Sequence, residues 1–180
     1  IYTFLGYDQE REVIWRVVET VVDVQMVDGF YLAVLERSAE LLEGDPPTDF
    51  VIMPDTGTFF YLVDGSEIYR VESLSDVDLE NAWLELIVPF PEEGQVWYPN
   101  PIYRAMENPD LIGSRSASEP YEEILPATGE FYTFYNIKTQ IEDIFNRSTF
   151  CETIGFVYNE YLSFDPVYGY RSELEGFSIQ

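Results

Sequence analysis

The chain contains no histidine, one cysteine and one lysine, and its 9 basic side chains face 34 acidic ones. Each shortage closes a route to function. Histidine alone has an unperturbed pKa near neutrality, which makes it the usual general base, proton shuttle and metal ligand. Without it, and with Cys151 alone, neither a Ser/His/Asp nor a Cys/His catalytic arrangement can be assembled. A single cysteine also excludes an internal disulfide and a cysteine-based zinc site. It lies between Phe150 and Glu152, where an acidic neighbour disfavours a thiolate, so it reads as a small buried hydrophobe. No apolar run approaches the ~20 residues that a membrane helix needs, and no basic segment followed by an apolar one marks a signal peptide. The observed chain is therefore not expected to insert in a membrane. It opens at Ile1 rather than Met, which suggests a trimmed precursor or a leader outside this sequence, and leaves room for a lost N-terminal anchor.

What is present is a core. Hydrophobic residues make up 46% of the 180 residues and aromatics 17%, too many for an acidic disordered tail and enough for one domain spanning 1–180. The net charge of −25 must then be carried on the outside. Such a charge repels nucleic acid and anionic lipid, so neither is an expected partner, while other proteins and cations remain open. The acidity itself has three readings: the ordinary acidity of secreted bacterial proteins, adaptation to high salt, and mimicry of nucleic-acid charge. The 13 Phe and 14 Tyr speak against the weakened core of a high-salt protein, and the first reading is the simplest.

The apolar pattern is that of strands. From Val13 to Val27 the segment is dense in β-branched residues that alternate, as in a strand of a curved sheet. Asp28-Gly29 separates it from Phe30–Leu35, and Asp64-Gly65-Ser66 separates Thr58–Val63 from Ile68–Glu72; both predict hairpins. Ser38–Gly44 reads as an acidic turn or short helix, and Trp83–Val88 as a strand before Val96-Trp97-Tyr98. Residues 99–120, rich in Pro, Asn, Gly and Ser, read as a long functional or mobile loop. Gly129–Ile137 is a strand, Gln140–Asn146 one or two helical turns, and Ile154–Phe164 and Tyr168–Ile179 a pair of strands about Asp165-Pro166. The expected fold is all-β: a single antiparallel curved sheet or barrel-like domain with little helix. The expected core is Trp15, Val17, Phe30, Leu32, Phe60, Leu62, Trp83, Leu86, Trp97, Phe131, Phe134, Phe156 and Tyr158.

Few constellations carry chemistry. Asp76, Asp78 and Glu80 alternate as weak candidate ligands for a hard cation, but Asn81 stands where an EF-hand has its turn glycine and Ile87 where it closes with glutamate. We expect a solvated connector there, with no metal and no cofactor. Paired carboxylates suffice for glycoside hydrolysis, yet nothing singles out one pair among 34 acids, so no catalytic residue is assigned and no enzyme is expected. Trp15, Trp83, Trp97 and the many tyrosines suit either a core or an aromatic-lined cleft, with core favoured. Trp97, Tyr98 and Tyr103, beside Pro99 and Pro101, together with Tyr168 and Tyr170 of the terminal strand, are the candidate partner-binding residues. Asn146-Arg147-Ser148 matches a glycosylation sequon.

Four phrases occur in one order: Trp15-Arg16-Val17, Pro89-x-Pro91-x-x-Gly94-x-x-Trp97, Pro126-Ala127-Thr128-Gly129-x-Phe131 and Gly155-Phe156-Val157, before a closing Glu173-Leu174-Glu175-Gly176-Phe177. Together they resemble uncharacterised secreted or lipoprotein β-sheet domains of bacteria. The chain departs from that pattern in the distance from Gly6 to Trp15 and in the inserted Thr128. The resemblance implies a secreted or cell-envelope location and a curved antiparallel sheet, and it brings no activity and no functional residues. The leading expectation is a non-enzymatic extracytoplasmic β-domain that binds other proteins as an accessory or structural subunit, by self-assembly or within a larger complex. The alternative is a carrier of a small apolar ligand inside the curved sheet.

Overall fold

A computed structural model describes residues 1–8, 11–27, 29–45, 52–71, 78–80, 82–87, 96–105, 113–141, 144–151, 153–164 and 167–178. Strands account for 74% of the chain and helix for 2%, and the strands form a single antiparallel sheet that is not closed. The strands are β1 (Tyr2–Asp8), β2 (Glu12–Val27), β3 (Phe30–Glu43), β4 (Gly57–Asp64), β5 (Glu67–Val71), β6 (Trp83–Ile87), β7 (Val96–Trp97), β8 (Ser114–Ala117), β9 (Tyr121–Leu125), β10 (Glu130–Ile141), β11 (Ile144–Cys151), β12 (Gly155–Phe164) and β13 (Val167–Leu174). One helical turn, α1 (Pro101–Ala105), stands between β7 and β8.

The order across the 13-stranded sheet is β6-β5-β4-β3-β2-β1-β13-β12-β11-β10-β8-β7, with β9 also on β10. Consecutive strands thus meander outward in two wings that meet where β1 pairs with β13. Both predicted hairpins form, and Gly29 and Gly65 turn them with positive φ of 92° and 56°, which a side chain would resist.

The far ends of the two wings come together. Leu84 of β6 donates its amide to the Pro99 carbonyl at 3.0 Å. Arg104 of α1 reaches the carbonyls of Ala82 at 2.6 Å, Glu80 at 3.1 Å and Pro99 at 3.1 Å. Arg115 of β8 donates to the Glu85 carbonyl at 2.8 Å. The sheet therefore curls until its ends meet, and among the described residues guanidinium groups and one backbone hydrogen bond, not a strand ladder, hold the seam. Around it lies the main core, which joins Leu32, Leu62 and Leu84 of one wing to Trp97, Ile137 and Phe150 of the other. Smaller clusters gather at Phe4, Val13 and Trp15, and at Leu125, Phe134 and Cys151. Cys151 is a buried free thiol, as its sequence setting implied.

Several expectations need correction. Ser38–Glu43 continues β3 instead of turning or coiling, because Trp15–Val18 of β2 pairs with Ser38–Leu41. Gln140–Asn146 holds no helix among its described residues; β10 and β11 run to Ile141 and from Ile144, which face each other. The stretch 99–120 is not one loop, since it carries α1 and β8. Tyr2–Asp8 and Tyr121–Leu125 are strands that the pattern did not reveal. In the core, Phe131 is 72% exposed while Phe134 is buried. An odd spacing along a strand sends two side chains to opposite faces, so both could not point inward. Phe30, Phe60, Trp83, Phe156 and Tyr158 are only partly buried.

Truncation should separate the two faces. Leu62→Ala is expected to cost about 2–5 kcal/mol by transfer and cavity terms, and Phe131→Ala no more than about 0.5 kcal/mol, read from urea unfolding midpoints. Equal losses would mean that the register of β10 is wrong.

Candidate functional site

Residues from β1–β6 and β11–β13, with the segment 52–55, line a half-open cavity of about 500 Å³. Its walls are aromatic and apolar in part: Phe4, Tyr2, Tyr61, Tyr170, Phe150 and Phe156. Phe4 stacks on Tyr170 at 5.0 Å, and Tyr170 stacks on Tyr161 at 5.9 Å, so an aromatic ladder crosses the β1–β13–β12 junction. That ladder follows from the register, which places Tyr170 opposite both Gly6 and Tyr161.

The same walls carry charge. Glu19 of β2 accepts two hydrogen bonds from Arg37 of β3, from Nε at 2.9 Å and Nη2 at 2.5 Å. A β-bulge places them face to face: Val21 pairs with Leu35 and Asp23 with Val34, which leaves Val22 as the extra residue and shifts Arg37 opposite Glu19. Arg70 lines the cavity beside Tyr61, its cross-strand neighbour, with its guanidinium 5.8 Å from the Trp83 ring. Glu85 is the least satisfied group. Its side chain is only 16% exposed, Oε1 lies 3.5 Å from Arg115, and Oε2 is buried with no hydrogen-bond partner among the described residues. A buried acceptor without a donor normally costs about 1–3 kcal/mol, more for a charged group.

Burial, and next the charge of Glu19, pushes the Tyr2 hydroxyl up to about 12. Burial and then Glu85 push Tyr61 to about 12. Tyr170 is raised by burial and by Glu85, with Arg115 opposing. All three stay protonated, so the cavity presents neutral phenols that can donate or accept. At Arg37 burial works against the charge, but Glu19, Tyr61 and Asp55 together outweigh it and the pKa is raised.

A second cavity of about 300 Å³ lies between Tyr121, Leu125, Phe134, Tyr158 and Leu174. Its polar lining is already engaged, since Arg147 and Thr149 both donate to Asn136 Oδ1 at 3.1 Å. The larger cavity is the candidate site.

The residues singled out from the sequence scatter. Trp97 is 3% exposed and belongs to the core, so it cannot face a partner. Tyr98 is half-buried, and the side chain of Tyr103 lies outside the described residues. Tyr168 and Tyr170 are half-buried, and β13 is flanked by β1 and β12, so the terminal strand offers no free edge to a partner. Tyr170 nevertheless belongs to the cavity wall. Asp76 lies outside the described residues; Asp78 accepts the Glu80 amide at 3.0 Å, and no group of metal-binding residues occurs among the described ones. Asn146 of the sequon sits within β11, paired on both sides. Glu19, Arg37, Tyr61 and Glu85 were missed altogether. The one signal available was a charged residue at an otherwise apolar inward position of each hairpin strand. No family model, no curated protein and no solved structure matches the chain.

The buried phenols give a pH signature. A tyrosine whose pKa is raised on folding stabilises the fold below its unfolded value of about 10, and that contribution is lost as pH rises through the folded value. Stability should therefore fall between pH 10 and about 12. Tyr2→Phe and Tyr61→Phe should flatten the fall, as measured by urea unfolding against pH. A slope unchanged in the double variant would remove these two groups as its source.

Proposed function

We propose that the protein is a non-catalytic binder of a small amphipathic molecule, held in the cavity inside the curled sheet. The observation that carries this reading is the cavity itself: aromatic side chains share its lining with a few polar and charged groups, among them Glu85, whose Oε2 is buried without a hydrogen-bond partner among the described residues. A volume of about 500 Å³ lies within the usual range for small-molecule sites, about 300–1,000 Å³. Of the two sequence-based expectations, the geometry favours the carrier, with a ligand more polar than a purely apolar one.

The neutral dye N-phenyl-1-naphthylamine is expected to bind saturably at one site, with enhanced fluorescence. Ser172→Phe, which fills the cavity from β13, should weaken it by about tenfold or more, a loss of about 1.4 kcal/mol. Binding that is absent, or that the filling variant leaves unchanged, would sink the reading.

One feature favours a second reading, attachment to a protein partner in an extracytoplasmic assembly. β1 covers the edge of β2 only along Glu12–Val17, and beyond it Val18–Val27 has no strand on that side among the described residues. Val21, Val22, Val24 and Met26 are exposed there, Met26 at 65%. Natural edges of this length usually carry charge, proline or a cover, and this one has only Glu19 and Asp23. A second copy added edge to edge in antiparallel register suits it, since Glu19 and Asp23 need not fall opposite each other or themselves. Light scattering should show dimers that strengthen with salt, as screening relieves the net charge, and Val24→Lys should abolish them. A strictly monomeric protein at high salt would exclude this route.

A further inference from the structure

We propose that the cavity is selective for an organic cation, a ligand with a flat apolar body and a protonated amine that pairs with Glu85. The inference rests on the cavity being a ligand site, as argued above, and names the ligand's chemistry.

Glu85 is the starting point. It lies in the cavity lining; among the described residues its carboxylate makes one long contact, 3.5 Å to Arg115, and Oε2 has no donor. Arg115 spends its closer hydrogen bond, 2.8 Å, on the Glu85 carbonyl. The terminal torsion of a glutamate is soft, so a small rotation turns Oε2 toward an arriving donor. An ammonium supplies a donor and a countercharge at once, and charge-assisted hydrogen bonds are about twice as strong as neutral ones.

The surroundings suit a cation better than an anion. Tyr61 and Phe156 stand in the lining outside the Phe4–Tyr170–Tyr161 stack, and the negative quadrupole of an aromatic face attracts an ammonium. Glu19, Asp55 and Glu85 share the lining with Arg37 and Arg70, and Glu19 already occupies Arg37. At the hydroxyl of Tyr2 the charge of Glu19 outweighs Arg37, and at that of Tyr61 Glu85 outweighs Arg37. At the hydroxyl of Tyr170 the order is reversed and Arg115 outweighs Glu85, so the carboxylates lead on the Tyr2 and Tyr61 side of the cavity. A net charge of −25 adds a long-range field that gathers cations and repels anions. Arg70 is the rival anchor for an anion, but it is exposed and placed against Trp83, so it carries no burial cost that a ligand would relieve.

Three ligands with one indole body separate the alternatives by isothermal titration calorimetry: tryptamine, a cation; tryptophol, neutral; and indole-3-acetate, an anion. Tryptamine should bind tightest and indole-3-acetate weakest, and the tryptamine affinity should fall with salt. Glu85→Gln should weaken tryptamine by roughly tenfold or more while leaving tryptophol nearly unchanged. Tryptophol then serves as the control that the variant keeps its cavity, with unfolding midpoints as a second check. Should tryptophol or indole-3-acetate bind as tightly as tryptamine, cation selectivity is overturned and the cavity reading survives. The same holds if all three fail while N-phenyl-1-naphthylamine binds. If the neutral dye fails as well, the cavity reading itself is lost, and this inference with it.

Discussion

The ladder between β1 and β13 is the interaction on which the rest of the molecule depends. It runs from Tyr2 opposite Leu174 to Asp8 opposite Tyr168 and is, among the described residues, the only strand pairing between the two wings of the sheet. Without it, β1–β6 and β10–β13 would be separate meanders, each with an open edge at its first or last strand. The chain ends reinforce it: the Ile1 ammonium donates to the Gly176 carbonyl at 2.8 Å, the Glu175 amide donates to Ile1 at 2.9 Å, and the Thr3 hydroxyl meets the Glu175 carboxylate. Gly169 is required within it, because any Cβ there would run into the Tyr161 carbonyl and the Tyr7 ring. This pairing joins residues from opposite ends of the sequence, so its loop-closure entropy must be met before the contacts form, and such topologies fold slowly.

The cavity is a consequence of this closure. Tyr2 and Phe4 come from β1, Tyr170 and Ser172 from β13, and the Glu19–Arg37 pair from the next hairpin, so the ladder brings together walls that neither wing could form alone. The seam on the far side, built by Arg104 and Arg115, then fixes how tightly the sheet curls. Arg115 serves both purposes, since it holds the Glu85 backbone across the seam and yet leaves the Glu85 carboxylate under-satisfied. In a chain with few basic residues, structural arginines are concentrated where the sheet must be drawn together and where interior carboxylates need balance.

Local chemistry explains which parts were legible in the sequence. Asp-Gly between apolar runs fixed both hairpins, because the positive φ that such a turn needs is a property of a few residues. Ser38–Glu43 was misread for the opposite reason. Ala, Leu and Glu favour a helix, but β2 presents a long apolar edge from Trp15 to Val18, and pairing with it outweighs a propensity worth only a few tenths of a kcal/mol per residue. Residues 99–120 looked like a loop because β8 is short and polar; it is a strand because β7 and β10 flank it, and neither can be inferred from Ser114–Ala117 itself. Trp97 was read both as core and as a contact residue, and the seam decides for core.

The candidate site was illegible for a deeper reason. Its lining is drawn from residues 2 to 172, so no window of sequence contains it. Even the closest pair, Glu19 and Arg37, depends on one extra residue. A hairpin paired without a bulge from the Asp28-Gly29 turn would set Glu19 opposite Ser38, and only the looped-out Val22 advances Arg37 into place. The bulge has a second consequence at the other end of the same strand. It increases the local twist where β2 leaves the cover of β1, so the segment that positions an interior charge pair also turns an apolar edge outward. The interior charge pair and the exposed edge are therefore linked through one irregularity: an unbulged ladder that took Val22 into the pairing would set Glu19 opposite Ser38 and re-register Val18–Val21 against β3 at the same time.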